Sequence, residues 1–133
     1  MNFLTVLFLL LGHTCTERNG GPDPICTPGD VETMSVEVVC GTSTRTRRSV
    51  SESERRQVFA SYGIVFPPPP GAYELDHLIP LELGGSNDVK NLWPEAAPGY
   101  REKDIEENFL HREVCSGRMS LEVAQAKMRE RAR

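Results

Sequence analysis

Asp76 and His77 stand side by side in the run Tyr73-Glu74-Leu75-Asp76-His77-Leu78-Ile79-Pro80-Leu81-Glu82-Leu83-Gly84-Gly85. Enclosing a carboxylate and an imidazole among residues that favour burial is costly unless something pairs with them. A divalent metal and a phosphate would do so. The plainer alternative is a structural pair, in which the two groups satisfy hydrogen bonds inside a strand. Five arginines upstream, Arg45, Arg47, Arg48, Arg55 and Arg56, would suit a phosphate backbone or a solvated basic surface, and spacing alone does not put them on one face.

The elements that must position this pair can be read from pattern. The apolar, turn-bounded stretch Tyr73 to Leu83 reads as a short strand. Gly84-Gly85-Ser86-Asn87 reads as a turn, and Val89 to Trp93 as a second strand or extended loop. Glu95 to Tyr100 is loop, and Arg101 to Val114 reads as a helix with Ile105, Phe109, Leu110 and Val114 on or near one face, stopped by Gly117. Ser120 caps a last helix with a basic C-terminal end. Upstream, Ser51 and Glu54 form a capping box for a helix carrying Val58, Phe59 and Tyr62, with Gly63 placed to end it. Val31 to Cys40 is ambiguous between strand and helix, and residues 41–50 read as a polar basic loop. Trp93 reads as a core anchor.

With 133 residues, a single domain is expected, and 38% hydrophobic with 26% charged residues fits a globular chain. The formal net charge of −4 argues against a protein that coats nucleic acid by charge alone. The apolar block Phe3 to Leu11 has the length of a secretory h-region and is too short to span a bilayer as a helix, although no Lys or Arg precedes it. The expected organisation is a leader over 1–15, as a signal peptide or a lipoprotein segment with Cys15 lipidated, then a Gly/Pro-rich linker over 16–30 and a domain over 31–133. Export to the periplasm or medium is the corresponding location. The four cysteines agree with export and lack zinc-type CxxC spacing. Three pairings exist; Cys40 with Cys115 is preferred because it would tie two ordered ends together, leaving Cys15 and Cys26 unassigned.

The order Asp76-His77, Gly-Gly turn, Asn91-Leu92-Trp93-Pro94-Glu95 and helix resembles the HNH, or ββα-metal, nuclease motif. From about Pro24 onward the chain is similar to small exported bacterial proteins with a DHLIPLELGG…NLWPE signature. The resemblance implies an α+β fold: a ββα-metal core over 73–116 with flanking helices and at least one disulfide. It implies that His77 is the general base and Asp76 a metal ligand. It implies that Asn91 bonds to loop backbone and so fixes His77. The position that usually closes the metal site from the helix departs from the pattern; Asp104 is favoured over Glu107 and Glu95. Arg101 and Lys103, with Arg47 and Arg48, are the expected phosphate contacts. The implied cofactor is Mg²⁺ or Mn²⁺, with Zn²⁺ or Ni²⁺ as alternatives. The implied activity is low-specificity phosphodiester hydrolysis in nucleic acid, DNA ahead of RNA, by a monomer with no membrane span, with an immunity or envelope protein as a further partner. The alternative is a non-catalytic exported binding module on the same scaffold.

Overall fold

A computed structural model describes residues 14–132. Among these residues the order of elements is α1 (Val36–Gly41), α2 (Thr44–Arg47), α3 (Glu52–Ser61), β1 (Tyr73–His77), β2 (Leu92–Ala96), α4 (Gly99–Cys115) and α5 (Leu121–Arg131). One-turn 3₁₀ helices at Leu81–Leu83 and Val89–Asn91 lie between the strands. Over the described residues the fold is a small α+β unit: one two-stranded antiparallel sheet, five α-helices and two disulfides.

The helix ends follow from side-chain chemistry. Ser51 and Glu54 form the reciprocal capping box at α3, and Gly63 takes φ +69° just beyond it. Ser120 caps α5 by accepting from Val123 N, and Gly117, φ +79°, follows the end of α4. Ser35 caps α1 by accepting from Val38 N, so the ambiguous segment is helical from Val36 onward, while Val31 makes an isolated antiparallel bridge to Gly85. The basic loop contains one helical turn, α2, capped by Ser43.

The first strand is shorter than its apolar run suggests. β1 ends at His77, because from Leu78 onward the backbone is bonded otherwise. Leu78 N donates to Asn91 O, and the Asn91 side chain takes both backbone groups of Ile79, so no ladder partner is left there. Pro80 then leads into the 3₁₀ turn. Val89 to Asn91 forms the second such turn, and β2 starts only at Leu92 and runs through Glu95, where a loop was expected. The register sets Asp76 opposite Trp93 and His77 opposite Leu92. Pro94 is tolerated because each strand of a two-stranded sheet is an edge.

Two apolar clusters hold the hairpin from either side. Val58, Phe59, Leu75 and Leu92 join α3 to the sheet. Val39, Ile79, Leu83, Leu110, Val114, Leu121, Ala124 and Met128 join α1, α4 and α5 to the loop after β1. Trp93 is buried, as an anchor should be. On α4 the buried positions are Lys103, Leu110 and Val114. Ile105 and Phe109, expected on the inner face, point outward at 72% and 49% exposure.

The expected linker over 16–30 is part of the folded unit. Cys15 is buried and bonded to Cys26, and Cys15 N donates to Ser61 O at 2.8 Å. Asp23 is fully buried, accepting from Thr16 N and Ile25 N, and Thr27 Oγ1 donates to Leu92 O. A sulfur held in this disulfide is not available for lipid attachment, which corrects the reading of Cys15 as a lipidated residue. The rest of the proposed leader, residues 1–13 with His13, lies outside the described residues. Cys40 pairs with Cys115 as expected, across 75 positions; in the chain-entropy account that loop contributes about 4 kcal/mol.

Gly85 is where backbone approach is closest: a Cβ there would meet Ile79 O at 1.7 Å. Gly85→Ala is expected to destabilise the domain by more than about 2 kcal/mol, since the neighbour is backbone and must shift. Urea unfolding checks this, and an unchanged midpoint would show that the loop is not held as described.

Candidate functional site

His77 ends β1, where its ring is buried at 4% exposure and its Nε2 lies 3.0 Å from Asn87 Oδ1. The Asn87 Nδ2 donates to the Arg47 carbonyl at 2.8 Å, so its Oδ1 is the acceptor and His77 Nε2 carries the proton. Nδ1 is then the lone-pair nitrogen. Burial is the main cause that lowers the His77 pKa, with Arg48 and Lys103 adding to it and Asn87 and Asp76 opposing. The ring is therefore a neutral imidazole at neutral pH, able to accept a proton.

Asp76 is anchored on its other side. Its Oδ1 accepts from His77 N at 2.8 Å, and its Oδ2 lies 2.9 Å from Lys103 Nζ. Lys103 is 2% exposed, and its ammonium also donates to His77 O at 2.8 Å and to Glu107 Oε1. Burial works against this ammonium, but Asp76 and Glu107 outweigh it and raise the pKa of Lys103. The same ammonium, with the Glu95 hydrogen bond and the His77 amide, overcomes burial and lowers that of Asp76.

The surrounding acids move the other way. Glu95, 2% exposed on β2, is pushed up to about 9 by burial, by its hydrogen bond to Asp76 and by the Asp76 charge. It is thus a neutral acid donating to Asp76. Glu107 is pushed up to about 7 by burial, against the pull of Lys103. Burial also raises Glu82. All three are held back from ionising chiefly by burial, against the attraction of Lys103.

An open cleft of about 180 Å³ joins these groups; Asp76, His77, Glu82, Glu107, Asn108 and Arg48 line it. Asn91 is fully buried beneath it. Its Oδ1 accepts from Ile79 N and Asp30 N, and its Nδ2 donates to Ile79 O and Ser86 O. All four bonds go to backbone, and they tie the loop that follows His77.

The structure brings together Asp76, His77 and Arg48, and sets Asn91 behind them. It does not bring in Asp104, which is exposed on α4 and does not line the cleft; Glu107, one turn along and facing inward, does. Lys103 is no free phosphate contact, because three acceptors consume its ammonium. Arg101 is exposed against the Tyr100 ring, and Arg47 enters through its carbonyl. Asn87, Asn108 and Glu82 were not expected at the site. The one signal for the inward turn of α4 was the four-residue spacing of Lys103 and Glu107, an ion-pair spacing that more often marks a solvated face.

Asp76 and Glu107 present the hard carboxylate oxygens that a magnesium-type ion takes, but the Lys103 ammonium pairs with both, so a cation there would share or displace it. Such an ion binds through one or two carboxylates and keeps water or phosphate oxygens for the rest. Three Asp, Glu or His ligand atoms do not close on one another here. Among the described residues only Cys40, His111 and Cys115 do so. No family model, no curated protein and no solved structure matches the chain.

Two outcomes test this geometry. Lys103→Met leaves Asp76 and Glu107 buried without their counter-charge and is expected to cost about 3–5 kcal/mol in urea unfolding. For Glu95 and Glu107 the folded pKa lies above the unfolded one. Their contribution is full below about pH 4.5, declines as pH rises, and is lost above the folded values of about 9 and 7. The thermal midpoint should therefore fall from pH 5 to pH 9, and Glu95→Gln, which mimics the neutral acid, should flatten that fall; a slope unchanged by the substitution refutes the assignment.

Proposed function

We propose that this chain is an exported, metal-dependent phosphodiesterase that cuts nucleic acid, DNA ahead of RNA, with little sequence preference, on an HNH-type ββα-metal core. One observation carries the reading. A neutral imidazole, held by Asn87 in the form that leaves one ring nitrogen free, shares a cleft with Asp76, Glu107 and Arg48. Two antiparallel strands, with α4 packed against β2 and Lys103 reaching Asp76 at the end of β1, support the reading. Two disulfides support an oxidising location, and none of the helices among the described residues is long and apolar enough to cross a membrane.

In this reading His77 takes a proton from the attacking water, and Arg48, at the cleft wall, pairs with a phosphate oxygen. Asp76 and Glu107 would hold the divalent ion, and Asn108 would complete its protein oxygens. Bound there, the ion supplies charge for the developing phosphorane and the leaving oxygen. Asn87 keeps the imidazole turned and Asn91 keeps its loop closed. Among the described residues no element outside this core is placed to read base edges, which supports low sequence preference. A net charge of −4 makes binding weak and steeply salt-dependent.

A second reading has its own support. Lys103 already neutralises Asp76 and Glu107, as a scaffold kept for stability would require, and the chain would then be an exported binding module.

Nicking of supercoiled plasmid decides between them. Wild type should nick in Mg²⁺ or Mn²⁺ and stop in EDTA, and His77→Ala should lose about 10²–10⁴-fold. Millimolar Mg²⁺ should also raise the thermal midpoint. Equal nicking by both proteins removes His77 from the chemistry. No nicking together with no Mg²⁺ stabilisation favours the binding module.

A further inference from the structure

A second cluster of ligating side chains lies away from the cleft proper, where the ends of α1 and α4 meet. Cys115 is the last residue of α4, His111 lies one turn before it, and Cys40 belongs to the last turn of α1. The two sulfurs and a ring nitrogen of His111 all lie within 4.8 Å of one another. Cys40 and Cys115 are exposed, so a reductant and an ion can both reach them. His111 Nε2 lies 3.6 Å from Cys115 Sγ and 3.2 Å from Val39 O.

We infer that Cys40, His111 and Cys115 form a redox-gated site for one zinc-type divalent ion, closed in the disulfide form and opened by reduction. Tetrahedral zinc has bonds of about 2.3 Å to sulfur and about 2.0–2.1 Å to nitrogen, which sets a sulfur–nitrogen edge of about 3.6 Å and a sulfur–sulfur edge of about 3.8 Å. The Cys115–His111 edge already has that length. The two sulfurs must separate, across Cα atoms 5.7 Å apart, and the Cys40–His111 edge, already within 4.8 Å, must settle near the same length. Two thiolates and an imidazole are the donors that zinc prefers, and they leave one position for water. The carbonyl end of α4 adds a favourable potential for a cation.

The chemistry balances with a small thiol as reductant. Two thiol molecules reduce the Cys40–Cys115 bond to two cysteine thiols and leave as their own disulfide. Ion binding then releases the two thiol protons. The His111 proton, which faces the Val39 carbonyl from Nε2, transfers to Nδ1 and frees Nε2 to bind. The ion restores the tie between α1 and α4 that reduction removed, so the same helices are clipped in either state. This inference does not depend on the nuclease reading.

Cobalt titration of the full chain tests it. In Cys15→Ala/Cys26→Ala, which leaves one thiol pair, reduction and anaerobic desalting should give binding of one Co²⁺ per chain. A thiolate-to-cobalt band and tetrahedral visible bands should appear and vanish on adding Zn²⁺. The unreduced chain should show neither. His111→Ala should weaken binding by more than the roughly 10–100-fold that an outer partner commands. If the double variant does not fold, reduced wild type serves, and there Cys40→Ser/Cys115→Ser must abolish the band. Circular dichroism is followed throughout; a reduced chain that unfolds must regain its helix signal with stoichiometric Co²⁺. Absence of the band, failure to refold, or binding indifferent to His111 overturns the proposal.

Discussion

One buried ammonium governs the arrangement around the cleft. Lys103 enters from α4 and meets Asp76 of β1, Glu107 of its own helix and the His77 carbonyl. These contacts join the helix to the end of the strand by charge-assisted bonds where an apolar contact would otherwise be expected. A buried ammonium without such partners would lose its proton or its place in the interior. The three acceptors are therefore conditions for the helix to pack as it does. The packing in turn aligns Glu107 and Asn108 with Asp76 and His77.

The acids nearby respond to that single positive charge. Asp76 pairs with it and stays ionised, whereas Glu95 keeps its proton and points that hydrogen bond at Asp76. Glu107 titrates near neutrality although it touches the same ammonium, because burial outweighs the attraction. A divalent ion entering the cleft would meet ligands with negative charge in reserve. A phosphate would meet Arg48 on the opposite account. The cleft thus holds acidic side chains and an arginine together.

Rigidity comes from a different source. The Asn91 amide spends all its hydrogen-bonding capacity on backbone at Asp30, Ile79 and Ser86, and Gly85 lets the loop close against Ile79. Cross-links at Cys15–Cys26 and Cys40–Cys115 then hold the N-terminal segment and α1 to the rest. A chain of this length buries a modest core, and such ties reduce the entropy that folding must overcome.

Much was legible from local chemistry. The capping box at Ser51 and Glu54, the stop at Gly63, the cap at Ser120 and the adjacency of Asp76 and His77 depend on near neighbours in sequence, and each was readable there. The pairing of Cys40 with Cys115 was readable as an end-to-end tie. The strand boundary at His77 was not, because it depends on a side chain fourteen residues away taking the backbone bonds of Ile79. The inward face of α4 was legible only in part: Leu110 and Val114 are buried as the apolar pattern suggests, but Ile105 and Phe109 point outward and Lys103 turns in. Lys103 turns inward because Asp76 of β1 meets it there alongside Glu107 of its own helix, and periodicity cannot place that strand relative to the helix. The sequence by itself determined the helix caps, the hairpin and the pair that offers chemistry. Tertiary structure alone decided which of the nearby acids joins that pair, since Asp104 and Glu107 differ by less than one turn and only the docking of α4 selects between them.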